Sequence, residues 1–221
     1  MDDKKNSIAL LSIALGLWLI SISLTLGYKS HPVGLSDILS GLFIVIFGLF
    51  SFSSKHRWPQ WGIGIVGIWL QMAPLFFWAP EPLMYVNDTL IGAIAIVLSF
   101  LFNKNEKTMA DHSLPTGWSY NPSGWEHRLP TVFFAMLCWF FSRYMAAFQL
   151  GYIDQVWDPF FSQGTLKVIT SKISEEFPVS DAGLGALCYS LEFLLGWQGG
   201  AQRWRQMPWL VFAFAFLVTP V

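Results

Sequence analysis

The sequence predicts an all-α fold, a polytopic transmembrane helical bundle of about seven spans. Two observations carry this. Hydrophobic residues make up 54% of the 221-residue chain and charged residues only 12%. The apolar stretches are also apolar all round, whereas a helix of a soluble core keeps one polar face. A helix needs about 20 apolar residues to cross the hydrocarbon core. Stretches approaching that length run over residues 8–27, 35–52, 62–78, 89–102, 131–151 and 183–197, and a seventh begins at 207. The seventh carries no charge and meets no polar stop before Val221, so the chain is expected to be a fragment cut within a span.

The first stretch follows Lys4 and Lys5, as a secretory signal would. It has no small-x-small cleavage site before a soluble domain and is followed at once by further spans, which favours an anchor. Basic residues set the expected orientation, because basic loops stay cytoplasmic. Lys55 and Arg57, then Lys104, Lys107 and Arg128, then Arg203 and Arg205 occupy alternate connections. Residues 79–88 have no Lys or Arg, and 152–181 set Lys167 and Lys172 against Asp154, Asp158, Glu175, Glu176 and Asp181. The N-terminus is therefore expected inside, in a multi-pass cell (inner) membrane protein. A net charge of −1 and the lack of a basic tract give no sign of a nucleic-acid partner, and the expected surroundings are membrane lipid.

The first half repeats itself at an offset of 51 residues. Gly16, Trp18 and Leu19 fall on Gly67, Trp69 and Leu70, Asp37 falls on Asp88, and Gly41 falls on Gly92. Each copy reads as a hairpin entering from the same side, so the two are parallel repeats. Their glycines let apolar helices approach closely. Gly62, Gly64 and Gly67 also spell G-x-G-x-x-G, but no strand precedes them and an apolar span follows, so the expected role is a packing face and not a phosphate cradle. Residues 104–130 read as a cytoplasmic linker rich in Pro, Gly, Ser and Asn, with Trp118, Tyr120 and Trp125 suited to the membrane interface. The expected division is 1–103, 104–130 and 131–221.

Several residues invite chemistry. Asn87-Asp-Thr89 is a formal glycosylation sequon set against the membrane, where use is not expected. Cys138 and Cys188 are expected to be isolated, buried thiols about 10 Å apart in depth, at 1.5 Å of rise per residue. Arg143 lies inside the fifth stretch, where a charge costs about 3 kcal/mol or more and calls for a partner. Glu192 in the sixth stretch is the expected one, forming a buried ion pair. Asp154 and Asp158, four apart, would share one face if helical. No histidine stands near to complete a metal set, so a solvated rim is expected there and no metal.

Residues 8–102 resemble the SPW-repeat family of bacterial membrane proteins. The resemblance rests on the Gly-x-Trp-Leu starts, Ala73-Pro74 with Trp78, and Asn87-Asp88 before Gly92. The first copy departs from it, with Ser21-Ile-Ser23 and no proline. From Gly117 onward the chain resembles the vitamin K epoxide reductase family. Here the matching elements are Gly117-Trp-Ser-Tyr-Asn-Pro122, Gly151-Tyr-Ile-Asp-Gln-Val-Trp-Asp-Pro-Phe-Phe161, and the run from Phe177 to Glu192.

That resemblance implies a four-helix core holding a quinone, with a Cys-x-x-Cys pair at the start of the last core helix passing electrons between quinone and thiols. Residues 131–221 would supply three of the four helices. Gly185 followed four residues later by Tyr189 matches the second core helix, and Asp181 falls where a polar quinone contact is placed. Asp181 and Tyr189 as polar contacts, with Trp157 and Phe160 covering the ring, are the expected quinone-binding residues. The implied partners are the quinone and an extracytoplasmic thiol protein. These 221 residues contain no Cys-x-x-Cys, so no catalytic residue is assigned and the fragment is expected to be inactive. The rival expectation is a non-enzymatic membrane assembly or sensing module.

Overall fold

A computed structural model describes residues 2–26, 31–53, 58–101 and 114–219. The helices are α1 (Asp2–Thr25), α2 (Pro32–Ser53), α3 (Trp58–Phe76), α4 (Pro82–Leu101), α5 (Trp125–Gln149), α6 (Gly164–Ile169), α7 (Lys172–Glu175), α8 (Asp181–Trp197), α9 (Arg203–Gln206) and α10 (Pro208–Val218). No strand occurs among the described residues, in keeping with the expected helical membrane bundle. Four helices are long and apolar enough to cross a membrane: α1, α2, α4 and α5. The other apolar helices, α3 with 19 residues, α8 with 17 and α10 with 11, are shorter. Lys55, Arg57, Lys104 and Lys107, used above for orientation, lie outside the described residues.

Helices α4 and α5 start well before hydropathy implies, for physical reasons. Helix α4 begins at Pro82 and not at 89, because Asn87 and Asp88 are taken into the helix and buried at 8% and 0% exposure. Helix α5 begins at Trp125 and not at 131, in spite of Pro130, because Arg128 anchors its first turn as described below.

The chain divides into two units, residues 1–104 with 147–180, and residues 105–146 with 181–221. In the first unit the repeat read from sequence is a repeat in space. Helices α1 and α2 meet where a methyl placed on Gly16 would fall 2.5 Å from the carbonyl oxygen of Gly41, and one on Gly41 would fall 2.6 Å from that of Gly16. Helices α3 and α4 meet in the same way through Gly67 and Gly92, at 2.7 and 2.6 Å. Only glycine permits such backbone contact, which brings dispersion and weak Cα–H···O contacts in place of a hydrophobic drive. The expected packing role of the G-x-G-x-x-G segment follows, since Gly62 abuts the Phe47 ring and Gly64 the Ser99 side chain.

Between the repeats the core is built from equivalent positions. Leu19 and Leu70, Ile44 and Ala95 all join one fully buried cluster with Ile63 and Ile91. The two tryptophans cross over: Trp18 Nε1 donates to Asn87 Oδ1 at 3.2 Å, and Trp69 Nε1 donates to Ser36 Oγ at 2.8 Å. Residues 36 and 87 are themselves 51 apart, so each repeat is latched by its Trp to the position preceding the other's aspartate.

The same unit includes the segment between α5 and α8. Tyr152 Oη donates to the Ala79 carbonyl at 2.7 Å, Trp78 Nε1 to the Pro178 carbonyl at 3.1 Å, and Gln149 Nε2 to Ser174 Oγ at 2.8 Å. Burial, then the neighbouring Tyr85 and Asp88, raises the Tyr152 phenol above its ordinary pKa. The helix considered for Asp154 and Asp158 does not form, since residues 154–158 are non-helical. Instead Asp158 accepts the amide of Phe161 at 3.0 Å through Oδ1 and that of Thr165 at 2.9 Å through Oδ2. Both carboxylate oxygens thus brace the turn that leads into α6. Burial pushes this carboxyl up, and the hydrogen bonds from Thr165, Phe161 and Phe160 together outweigh it, leaving it below the ordinary value.

Candidate functional site

The second unit is built on α5, α8 and α10. Small residues are buried on both longer helices, Ala135, Ser142 and Ala146 on α5 and Gly183, Ala186 and Ser190 on α8. A methyl on Gly185 would sit 3.4 Å from Ser142 Oγ, so Gly185 faces the Ser142 side chain of α5. Between these helices Tyr189 and Cys138 lie near each other. Two of the residues singled out from sequence for different reasons are therefore neighbours.

Cys138 and Cys188 are free thiols, as expected, but they are not both buried. Cys138 is half-buried and Cys188 is exposed. The cause is helical phase. Gly183, Ala186 and Ser190 form the packed stripe of α8, and Cys188 falls between its turns on the opposite side.

Asp181 opens α8, where its Oδ1 accepts the amide of Ala182 at 2.7 Å. Tyr189 lies eight residues on, about 12 Å along the helix at 1.5 Å per residue. The two share a helix and stand two turns apart. Trp157 and Phe160 belong to the first unit, where their rings are 76% and 83% exposed. Glu192 is buried at 6% exposure on α8, and the Arg143 guanidinium stands 5.1 Å over the Trp139 ring.

What sequence reasoning missed is at the other end of α8. Arg128 and Arg203, taken as topology-setting loop charges, are each 1% exposed. The last carbonyls of a helix have no partner within it, and this end carries partial negative charge. Arg128 donates through Nη1 to the carbonyls of Gly196 and Gln198 at 3.0 and 3.1 Å, and through Nη2 to Gly199 at 3.1 Å. Arg203 Nη1 donates to Leu195, Gly196 and Gln198 at 2.8, 3.3 and 3.2 Å. Gly199, at φ +79°, turns the chain just past the helix so that these carbonyls point at both guanidiniums. Burial and the proximity of Arg128 push the Arg203 guanidinium down to about 10. The available signal was Gly199-Gly200 directly after an apolar run, a helix stop with arginines close by in sequence.

The aromatic linker docks on this same end. Trp118 packs on Trp204 with centroids 5.1 Å apart and Trp125 on Trp197 at 5.3 Å. Asn121 Nδ2 donates to the Ala201 carbonyl at 2.9 Å, and the Trp204 amide donates to Ser123 Oγ at 3.0 Å. Trp118 and Trp125, expected at the membrane interface, thus pack on Trp204 and Trp197 of the same chain.

Paired glycine-sealed hairpins and a second set of apolar helices, with a phenol near a thiol between two of them, define a multi-pass helical membrane protein with two distinct modules. Residues 7–101 match the SPW repeat domain, and residues 129–221 match the Vitamin K epoxide reductase family. The chain thus carries two family-matching stretches in series, an SPW repeat domain followed by a region similar to the Vitamin K epoxide reductase family. Comparison with curated proteins and with solved structures gives no match. That family is one of membrane quinone-linked disulfide oxidoreductases, and it is the second module that is similar to it.

Proposed function

We propose that residues 131–221 are the quinone-binding part of a membrane thiol–disulfide oxidoreductase, joined by 104–130 to an SPW module over 1–103. The observation that carries this reading is the nearness of the Tyr189 phenol to Cys138, with Gly185 facing Ser142 between the same two helices, inside the stretch that matches the family. Such a site fits a quinone, a flat apolar ring whose few polar atoms need a donor. The bound quinone supplies the electron acceptor. Tyr189 orients it by donating to a ring oxygen, and Asp181 adds a polar contact at the mouth of the helix pair. Trp157 and Phe160, the aromatic residues that the family resemblance implies for covering the ring, are exposed on the first unit. The proposed thiol partner is an extracytoplasmic protein.

The 221-residue chain in lipid nanodiscs is expected to bind a ubiquinone or menaquinone analogue, read by quenching of tryptophan fluorescence. Tyr189→Phe should weaken binding about 10-fold, the worth of roughly one hydrogen bond. Unchanged binding in Tyr189→Phe and Asp181→Asn would remove the assigned site. Quinone-dependent oxidation of a protein thiol is expected to be absent from these residues, because Cys138 and Cys188 do not form a Cys-x-x-Cys. Turnover that survives Cys138→Ala with Cys188→Ala would exclude cysteine chemistry. Quinone binding absent from every preparation would favour the non-enzymatic assembly or sensing module.

Two further readings belong to the same proposal. The N-terminus is placed in the cytoplasm of the cell (inner) membrane, so a reporter at Gly200 should read cytoplasmic and one at Gly164 extracytoplasmic. Cytoplasmic labelling at Gly164 reverses the arrangement. Glu192 is proposed as the ion-pair partner of Arg143. Arg143→Met alone should then destabilise the fold, with much of the loss recovered when Glu192→Met is added, since the second change removes a stranded charge. Strictly additive losses in that cycle would separate the two residues.

A further inference from the structure

The SPW module buries two aspartates from equivalent positions of its repeats, Asp37 on α2 and Asp88 on α4, both at 0% exposure. Their side chains lie within hydrogen-bonding reach of each other. The outer oxygens are accounted for: Ser23 Oγ donates to Asp37 Oδ2 at 3.1 Å, and Asn87 Nδ2 donates to Asp88 Oδ1 at 3.4 Å. Asp88 Oδ2 is fully buried and receives no N–H or O–H from the described residues. We propose that Asp37 and Asp88 bind one proton between them, as a carboxylic acid hydrogen-bonded to a carboxylate, at the point where the two repeats meet.

The argument is one of charge and geometry. Two ionised carboxylates in contact, out of water, repel each other far more strongly than a shared proton costs, which is the situation of paired active-site aspartates. A basic residue could compensate instead, yet α2, α3 and α4 contain none. In α1 the basic residues are Lys4 and Lys5, and Lys5 precedes Ser23 by 18 residues, about 27 Å of helix. Among the described residues, neutral groups beside the pair include Ser23 of α1, Asn87 of α4 and, near Asp88, Tyr152, whose hydroxyl already donates to Ala79. His31 at the start of α2 accepts the Val33 amide through Nδ1, and Glu81 lies just before α4. One proton supplies the missing donor to Asp88 Oδ2 and removes one of the two charges. The pair also explains why both repeats place an aspartate one residue after the position that the opposite tryptophan latches.

Infrared spectroscopy of the full chain in lipid, with aspartate carboxyls labelled with carbon-13, tests this directly. At neutral pH the wild type should show the C=O stretch of a protonated, hydrogen-bonded carboxylic acid. The band should disappear in Asp37→Asn and in Asp88→Asn and persist in Asp154→Asn, which changes an exposed outer aspartate. Both single variants should still fold, because the asparagine amide supplies the donor that the proton supplied. If neither folds, the wild-type band remains decisive. Absence of the band at neutral pH overturns the proposal. So does a rise in thermal stability with sodium or potassium, at constant ionic strength, that Asp88→Asn abolishes, since the site would then hold a metal cation.

Discussion

Arg203→Met is expected to destabilise the second unit by about 3 kcal/mol or more, the scale for removing a buried guanidinium that satisfies several carbonyls. The methionine keeps much of the volume against Phe214, whose ring lies 5.1 Å from the guanidinium, so the loss reads the polar contacts and not a cavity. The Leu195 carbonyl has Arg203 as its side-chain donor, whereas Gly196 and Gln198 keep Arg128. Arg128→Met should cost a similar amount, and the pair of changes less than the sum, because both residues serve the same helix end. Arg205→Met is the control, since Arg205 is exposed and its guanidinium stands 5.0 Å over the Trp204 ring. Urea or SDS unfolding in detergent, followed by tryptophan fluorescence, measures all four. Equal stability of Arg203→Met and Arg205→Met would mean that the cap does not hold α8.

Gly92→Val is expected to cost at least about 3 kcal/mol, at or beyond the upper end for overpacking, because the obstacle is backbone and cannot rotate away. The new Cβ would meet the Gly67 carbonyl at 2.6 Å, and Gly41→Val would meet the Gly16 carbonyl at the same distance. The two variants should therefore suffer alike, which is a prediction of the repeat itself. Gly200→Ala, with nothing within 4 Å, should fall within about 0.5 kcal/mol of the wild type. A tolerated Gly92→Val beside a damaging Gly41→Val would show that the second hairpin is not sealed as the first is.

The two predictions draw on different levels of legibility. The glycine seals could be read in the sequence because a repeat marks them: identical residues recur at one offset, and in an apolar helix glycine has few uses other than close approach. The arginine cap could not be read in the same way. In sequence, Arg128 and Arg203 are basic residues in polar connections, indistinguishable from Arg205, and the topology rule explains all three equally well. The exposure of Cys188 and the loss of a shared helical face for Asp154 and Asp158 were missed for a related reason. Hydropathy reports that a segment is apolar and says nothing of the phase at which it turns.

By itself the sequence determined the class of the protein, because a bilayer admits few solutions for a chain so poor in charge, and it determined the repeat, because the offset is exact in Trp, Asp and Gly. It also carried the family resemblance of both halves. Only the tertiary structure decided which polar residues meet. Trp18 finds Asn87 across 69 positions, Arg128 finds Gly196 across 68, and Asp37 reaches Asp88 across the repeat boundary. A buried donor or acceptor must be satisfied wherever the fold offers a partner, and that partner is set by how helices pack, which local pattern does not encode.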